Sequence, residues 1–190
     1  MFNRTIINDL KHWREQKDRK PLMMLGARQV GKTSVLKRFG RECFEHCVYF
    51  SLDEEAGVCD IFRTTKNPTQ IIEQLSYLTD EPILPEKTLL ILDEIQDCPE
   101  AISSMKYFCE KTPEYAIACA GSLLGLAFGH EGFSFPVGKV DHINMYPVTF
   151  SEFLEQKDSG LYRYYKSIDS IDPLPQVFFD RLSQAFTAYR

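Results

Sequence analysis

Apolar residues along the chain alternate between short unbroken runs and longer stretches with helical spacing. Ile6, Ile7, Leu10 and Trp13 recur among Asn8, Lys11, Arg14 and Glu15, which predicts an amphipathic helix over residues 5–16 with its apolar face packed against the domain. Four runs read as strands: Leu22–Leu25 after Pro21, Cys47–Leu52, Thr88–Asp93 and Tyr115–Ala120. Helices are expected between them. Val35, Leu36 and Phe39 fall at i, i+1 and i+4, with Gly40 as the expected stop. Asn67-Pro68 opens a helix carrying Ile71, Ile72, Leu75 and Leu78, and residues 100–110 place Ile102, Met105, Phe108 and Cys109 on one face before Pro113.

Past Gly121 the pattern changes. Leu123 to Phe128 fit a short helix, 129–138 is Gly-, Phe- and Ser-containing loop, and Asp141–Tyr146 alternates polar with apolar as a half-exposed strand does. Thr149-Phe-Ser-Glu152 has the spacing of a capping box, so a helix starts there with Phe150, Phe153 and Leu154 inward. Two further helices, parted by Asp172-Pro-Leu-Pro175, complete the chain. Strands alternating with helices through residue 128 predict an α/β fold, a mainly parallel sheet between two helical layers. We expect residues 1–155 to form that domain and 156–190 to form a short helical extension.

Length and charge narrow the function. The 190 residues suit one core-bearing domain, and 27 acidic against 22 basic residues give a net charge of −5, so no global positive field recruits nucleic acid or anionic lipid. No signal peptide and no apolar run near the roughly 18 residues of a membrane span is seen, so a soluble, cytoplasmic protein is expected. The six cysteines form no C-x-x-C pair, and Cys43, His46 and Cys47 lack a second ligand pair at the usual zinc spacing.

The chemistry sits at two strand ends. Residues 26–33, GARQVGKT, fit the phosphate-loop pattern G-x-x-x-x-G-K-[ST] between a strand and a helix. Glycines at 26 and 31 permit a tight turn and close approach to phosphate, and the unpaired N–H groups of a helix start face the anion. Gly26, Ala27, Arg28, Gln29, Val30, Gly31, Lys32, Thr33 and Ser34 are therefore the candidate nucleotide-binding residues. Arg28 is open between a phosphate, a neighbouring subunit and solvent. Downstream, the Thr88–Asp93 run closes on Asp93-Glu94, as a Walker B strand does. Lys32 bridges the β- and γ-phosphates, Thr33 and Asp93 are the candidate Mg²⁺ holders, and Glu94 orients or deprotonates the attacking water. Ser122, after the fourth strand, is either a γ-phosphate sensor or the cap of the helix that follows.

GARQVGKTS, LLILDEIQ, AGSLLG and NMYPVTFSEFL together resemble the bacterial and archaeal AAA-type ATPases whose P-loop domain precedes a C-terminal domain of unknown function. The resemblance spans about residues 20–155 and implies a P-loop NTPase sandwich of the additional-strand, AAA-like type, with ATP and Mg²⁺ as cofactors. Such proteins usually carry Gly-Arg where this chain has Gly138-Lys139, and Lys139 is a point charge rather than an arginine fork. Since they also continue well past this length, the chain is expected to be the ATPase part of a longer protein. Slow Mg-dependent ATP hydrolysis driving an unidentified event is the reading this supports, with ATP and ADP as ligands and a protein partner or self-association left open. A nucleotide-regulated interaction module with negligible turnover is the alternative. A GTPase is a third, although no N-K-x-D guanine motif occurs.

Overall fold

The computed structural model describes residues 4–122 and 135–189. These pack as two units, one of Ile6–Met145 and one of Arg4, Thr5 and the described residues from Tyr146 onward.

In the first unit the chain runs α1 (Ile6–Glu15), β1 (Leu22–Leu25), α2 (Lys32–Cys43), β2 (His46–Ser51), α3 (Ala56–Thr64), α4 (Pro68–Ser76), β3 (Thr88–Asp93), a 3₁₀ turn (Ile95–Asp97), α5 (Pro99–Lys111), β4 (Ala116–Gly121) and β5 (Asp141–Asn144). All five strands are parallel, in the order β2-β3-β4-β1-β5. β4 is thus inserted between the strand that feeds the GARQVGKT loop and the strand that ends at Asp93. This is the additional-strand arrangement of P-loop NTPases.

Two buried layers follow from strand alternation, because successive side chains point to opposite faces. Leu22, Met24, Leu89, Ile91, Ala116, Ala118 and Ala120 meet the apolar faces of α1 and α2, where Leu10, Trp13, Leu36 and Phe39 lie. Met23, Leu90, Leu92, Ile117 and Cys119 meet Phe62 of α3, Leu75 of α4 and Phe108 of α5. The expected packing role of α1 is seen directly: the Trp13 ring lies 6.3 Å from that of Phe39, and its Nε1 donates to the carbonyl of Lys20 at 2.9 Å.

Several local expectations change. α2 does not stop at Gly40 but continues to Cys43. One interior glycine costs a helix only about 1 kcal/mol relative to alanine, less than the burial of Val35, Leu36 and Phe39 supplies. α4 ends at Ser76, which leaves Leu78 53% exposed. Helix α3 has no counterpart in the sequence reading, although Val58, Ile61 and Phe62 stand at i, i+3 and i+4 and are buried. The alternating segment near 141 is a parallel edge strand beside β1, with His142 and Asn144 exposed. The helix expected over 123–128 lies outside the described residues.

The second unit contains α6 (Phe150–Lys157), α7 (Ser159–Lys166) and α8 (Gln176–Tyr189). Its capping box forms as the spacing predicts: Thr149 Oγ1 accepts from the Glu152 N–H at 3.2 Å, and Glu152 Oε2 accepts from the Thr149 N–H at 2.9 Å. Phe150 and Phe153 are only half-buried, within a cluster of rings from Tyr165, Phe186 and Tyr189. Among the described residues no helix is long and apolar enough to cross a membrane.

Candidate functional site

The strand order brings three chain segments to the carboxyl ends of neighbouring strands, where open α/β sheets place their ligands. β1 delivers the loop 26–31 and the start of α2, β3 delivers Asp93 and Glu94, and β4 between them delivers Gly121 and Ser122.

The loop is shaped by its glycines. A Cβ on Gly26 would stand 2.2 Å from the carbonyl oxygen of Met145, and Gly31 has φ +94°, a conformation that side chains disfavour. Gln29 is also left-handed, at φ 62°. Ala27, Arg28, Gln29 and Ser34 are exposed, while Lys32 is buried. No side chain caps α2, so its first N–H groups are left for another acceptor, and an anion fits there.

Lys32 occupies the concavity of its own loop. Its Nζ donates to the carbonyls of Gly26 at 3.0 Å and Ala27 at 2.8 Å. Burial lowers its pKa, the carboxylates of Glu94 and Asp93 oppose that, and the charge of Arg28 adds to it. The partly desolvated ammonium, held by two loop carbonyls, is a charge that an anionic ligand would meet.

Asp93, 4% exposed, ends β3 as a hub. Its Oδ2 accepts from the Thr33 hydroxyl at 2.5 Å, although the two residues stand 60 apart in sequence, and from the Tyr49 hydroxyl at 3.3 Å. Its Oδ1 accepts from the Glu94 N–H at 3.0 Å. A hydroxyl and a carboxylate side by side are hard oxygen donors, the set that suits Mg²⁺ rather than a softer metal. Residue 94 then departs from regular strand backbone, at φ 48°.

Two residues of this arrangement carry no role in the sequence reading. Tyr49 reaches Asp93 from β2, with Lys37 Nζ 3.1 Å from its ring centroid. Gln96 donates to Glu94 Oε2 at 2.6 Å. Tyr49 leaves no signal in sequence, whereas Gln96 lies inside the LLILDEIQ segment.

Lys139 Nζ pairs with Glu110 Oε1 at 2.9 Å. Asp53 and Glu55, after β2, turn back on Ser51: Asp53 Oδ1 accepts from its hydroxyl at 2.5 Å and Glu55 Oε1 from its N–H at 2.9 Å.

Residues 18–154 match the family described as AAA domain. Among solved structures, a Walker-type ATPase of Pyrococcus abyssi is similar with a TM-score of 0.54 and 19% identity, covering 91% of this chain and 60% of that one. AMPPCP-bound DnaA from Aquifex aeolicus is similar with a TM-score of 0.48 and 14% identity, covering 93% of this chain and 53% of that one. This chain therefore spans somewhat over half the length of those proteins. No curated protein sequence matches it.

Proposed function

We propose that this chain, which belongs to the AAA domain family, is an ATPase domain whose turnover is carried by Lys32, Thr33, Asp93 and Glu94, with Ser122 beside the γ-phosphate. The carrying observation is the 2.5 Å hydrogen bond from the Thr33 hydroxyl to Asp93, which closes the start of α2 onto the end of β3.

The N–H groups of residues 27–33 hold the β-phosphate. Lys32 exchanges the carbonyls of Gly26 and Ala27 for oxygens of the β- and γ-phosphates, so little reorganisation is needed. The Thr33 hydroxyl and the Asp93 carboxylate would hold Mg²⁺, and Tyr49 steadies that carboxylate from the side. When bound, the ion supplies positive charge against the phosphate oxygens. Glu94 accepts a hydrogen bond from the attacking water and takes its proton as the bond from the water oxygen to the γ-phosphorus forms and the bond from that phosphorus to the β,γ-bridging oxygen breaks, releasing ADP and phosphate.

Titration of purified protein with ATP, ADP and GTP, followed by a phosphate-release assay with Mg·ATP, tests this reading. Lys32→Ala is expected to abolish nucleotide binding. Glu94→Gln is expected to keep binding while losing turnover by roughly 10²- to 10³-fold, the scale for removal of one preorganised group. Unchanged turnover in Glu94→Gln removes Glu94 from its role, and tighter binding of GTP than of ATP redirects the assignment to guanine.

One observation favours a nucleotide-regulated module with negligible turnover. Lys139, at the position where similar ATPases have arginine, is engaged by Glu110. Phosphate release from the isolated chain, compared with release in the presence of candidate protein partners, separates the two readings.

A further inference from the structure

Glu94 does not stand alone at the end of β3. Its Oε2 accepts from Gln96 Nε2 at 2.6 Å, and Oε1 of the same amide accepts the backbone N–H of Ser122 at 3.3 Å. One side chain thereby joins the carboxylate after β3 to the residue after β4, the neighbouring strand. Nε2 also donates to Asp97 Oδ2 at 3.0 Å, so the amide orientation is fixed by three contacts.

The local backbone is built for this. Left-handed φ at Glu94 breaks the strand direction, and the 3₁₀ turn Ile95–Asp97 follows at once. Ile95 is fully buried and anchors that turn, while the Asp97 N–H bonds back to the Glu94 carbonyl at 3.0 Å. Gln96 is therefore presented between its own strand end and the next.

We infer that Gln96 is a positioning residue for hydrolysis: its amide holds the Glu94 carboxylate in place and ties that placement to the tip of β4. The inference rests on the role of Glu94 proposed above. An amide is the side chain that can do this, since one end donates and the other accepts. Glutamate at 96 would set a second carboxylate against Glu94, and lysine could not accept the Ser122 N–H. A residue that serves only to finish the strand has no reason to act through Glu94.

The test uses the full chain with Gln96→Met, which keeps the length of the side chain and removes all three hydrogen bonds. Steady-state phosphate release is expected to fall roughly 10- to 100-fold in kcat, the range for loss of a group that orients a catalytic one, with KM for ATP and affinity for ADP unchanged. In a Glu94→Gln background the same substitution should produce no further loss, because two groups acting as a unit are not additive. Wild-type turnover in Gln96→Met, or an equal fold-loss in both backgrounds, overturns the inference while leaving the Glu94 assignment standing. Should the wild-type chain release no phosphate, the Glu94 assignment falls and a second readout decides. The side-chain amide NMR signals of Gln96, identified by their disappearance in Gln96→Met, and the Ser122 N–H are expected to shift along one saturation curve as Mg²⁺ and the β,γ-methylene analogue of ATP are added. Failure of these two signals to respond together overturns the inference.

Discussion

In the 13-residue helix α5, Ala101, Ile102, Ser104, Met105 and Phe108 are all buried, whereas the 14-residue α8 buries none of its residues. The contrast extends to the units they belong to. In the sheet unit β3 and β4 are buried at every position, so burial of apolar area fixes strands and helices alike. In the helical unit the buried residues of α6 are Glu152 and Leu154, that of α7 is Leu161, and the rest is held by caps, ion pairs and half-exposed rings. The site was built on the first kind of frame. Its side chains branch from strand ends that hydrophobic burial has already placed, and that placement lets single hydrogen bonds such as Thr33 to Asp93 be specific.

The comparison breaks most visibly if a core substitution in the sheet unit is cheap. Phe108 is almost completely buried in the layer beneath α3, α4 and α5. Phe108→Ala should lower stability by about 3 to 5 kcal/mol through lost transfer energy and a residual cavity. Trp13, the only tryptophan and itself buried in this unit, makes fluorescence-detected urea unfolding the measurement. A loss under about 1 kcal/mol would mean that the layer collapses around the gap and that burial is not what fixes the strands.

The same contrast explains which parts were legible in sequence. Leu22–Leu25, Thr88–Asp93 and Tyr115–Ala120 announce themselves because strands buried on both faces read as near-continuous apolar runs, with the loop glycines following the first at fixed offsets and Asp93 closing the second. Asp93 could be placed at a strand tip. Its bonds to Thr33 and Tyr49 could not, because they depend on strand order, and periodicity carries no information on which strand neighbours which. Gln96 was hidden differently: one partner, Glu94, is itself left-handed, the other, Ser122, follows a different strand, and no local pattern marks that turn. In the helical unit, Phe150 and Phe153 read as core from their spacing but ended in a half-exposed ring cluster, since too little apolar surface surrounds them to complete a core.

A sharper test asks whether polar contacts substitute for a core in the helical unit. Glu152 is 4% exposed and accepts from Arg4 Nε at 3.3 Å, from the Thr5 N–H at 2.9 Å and hydroxyl at 3.0 Å, and from the Thr149 N–H at 2.9 Å. Glu152→Gln turns a donor toward groups that all donate, and should cost roughly 2 to 3 kcal/mol. Burial alone would raise the pKa of this carboxyl, but the N–H groups of Thr149 and Thr5, the Thr5 hydroxyl and the Arg4 guanidinium together hold it below its ordinary 4.5. A carboxyl with a lower pKa folded than unfolded is protonated more readily in the unfolded chain. Its contribution is therefore complete above about pH 4.5 and is lost as pH falls through the folded-state value. Amide exchange in α6, measured from neutral pH into that range, should show the acid-side weakening in the wild type and a flatter profile in Glu152→Gln. Matching profiles would mean that the ion pair does not hold the unit.

The smallest effect isolates the cap from the charge. Thr149 is exposed, so its removal forfeits almost no burial, and whatever is lost belongs to the capping box. In Thr149→Ala the Glu152 N–H loses its acceptor at 3.2 Å, while the Thr149 backbone N–H still reaches Glu152 Oε2. Half the reciprocal cap survives. The expected cost is about 1 kcal/mol, within the range for replacing a threonine cap by alanine, and it should appear as faster exchange confined to the first turn of α6. A threonine-to-serine change restores the acceptor and should restore protection. If Thr149→Ala instead opens α6 along its whole length, the cap sustains the helix itself, and the helical unit depends on one hydroxyl as strongly as the sheet unit depends on a phenylalanine.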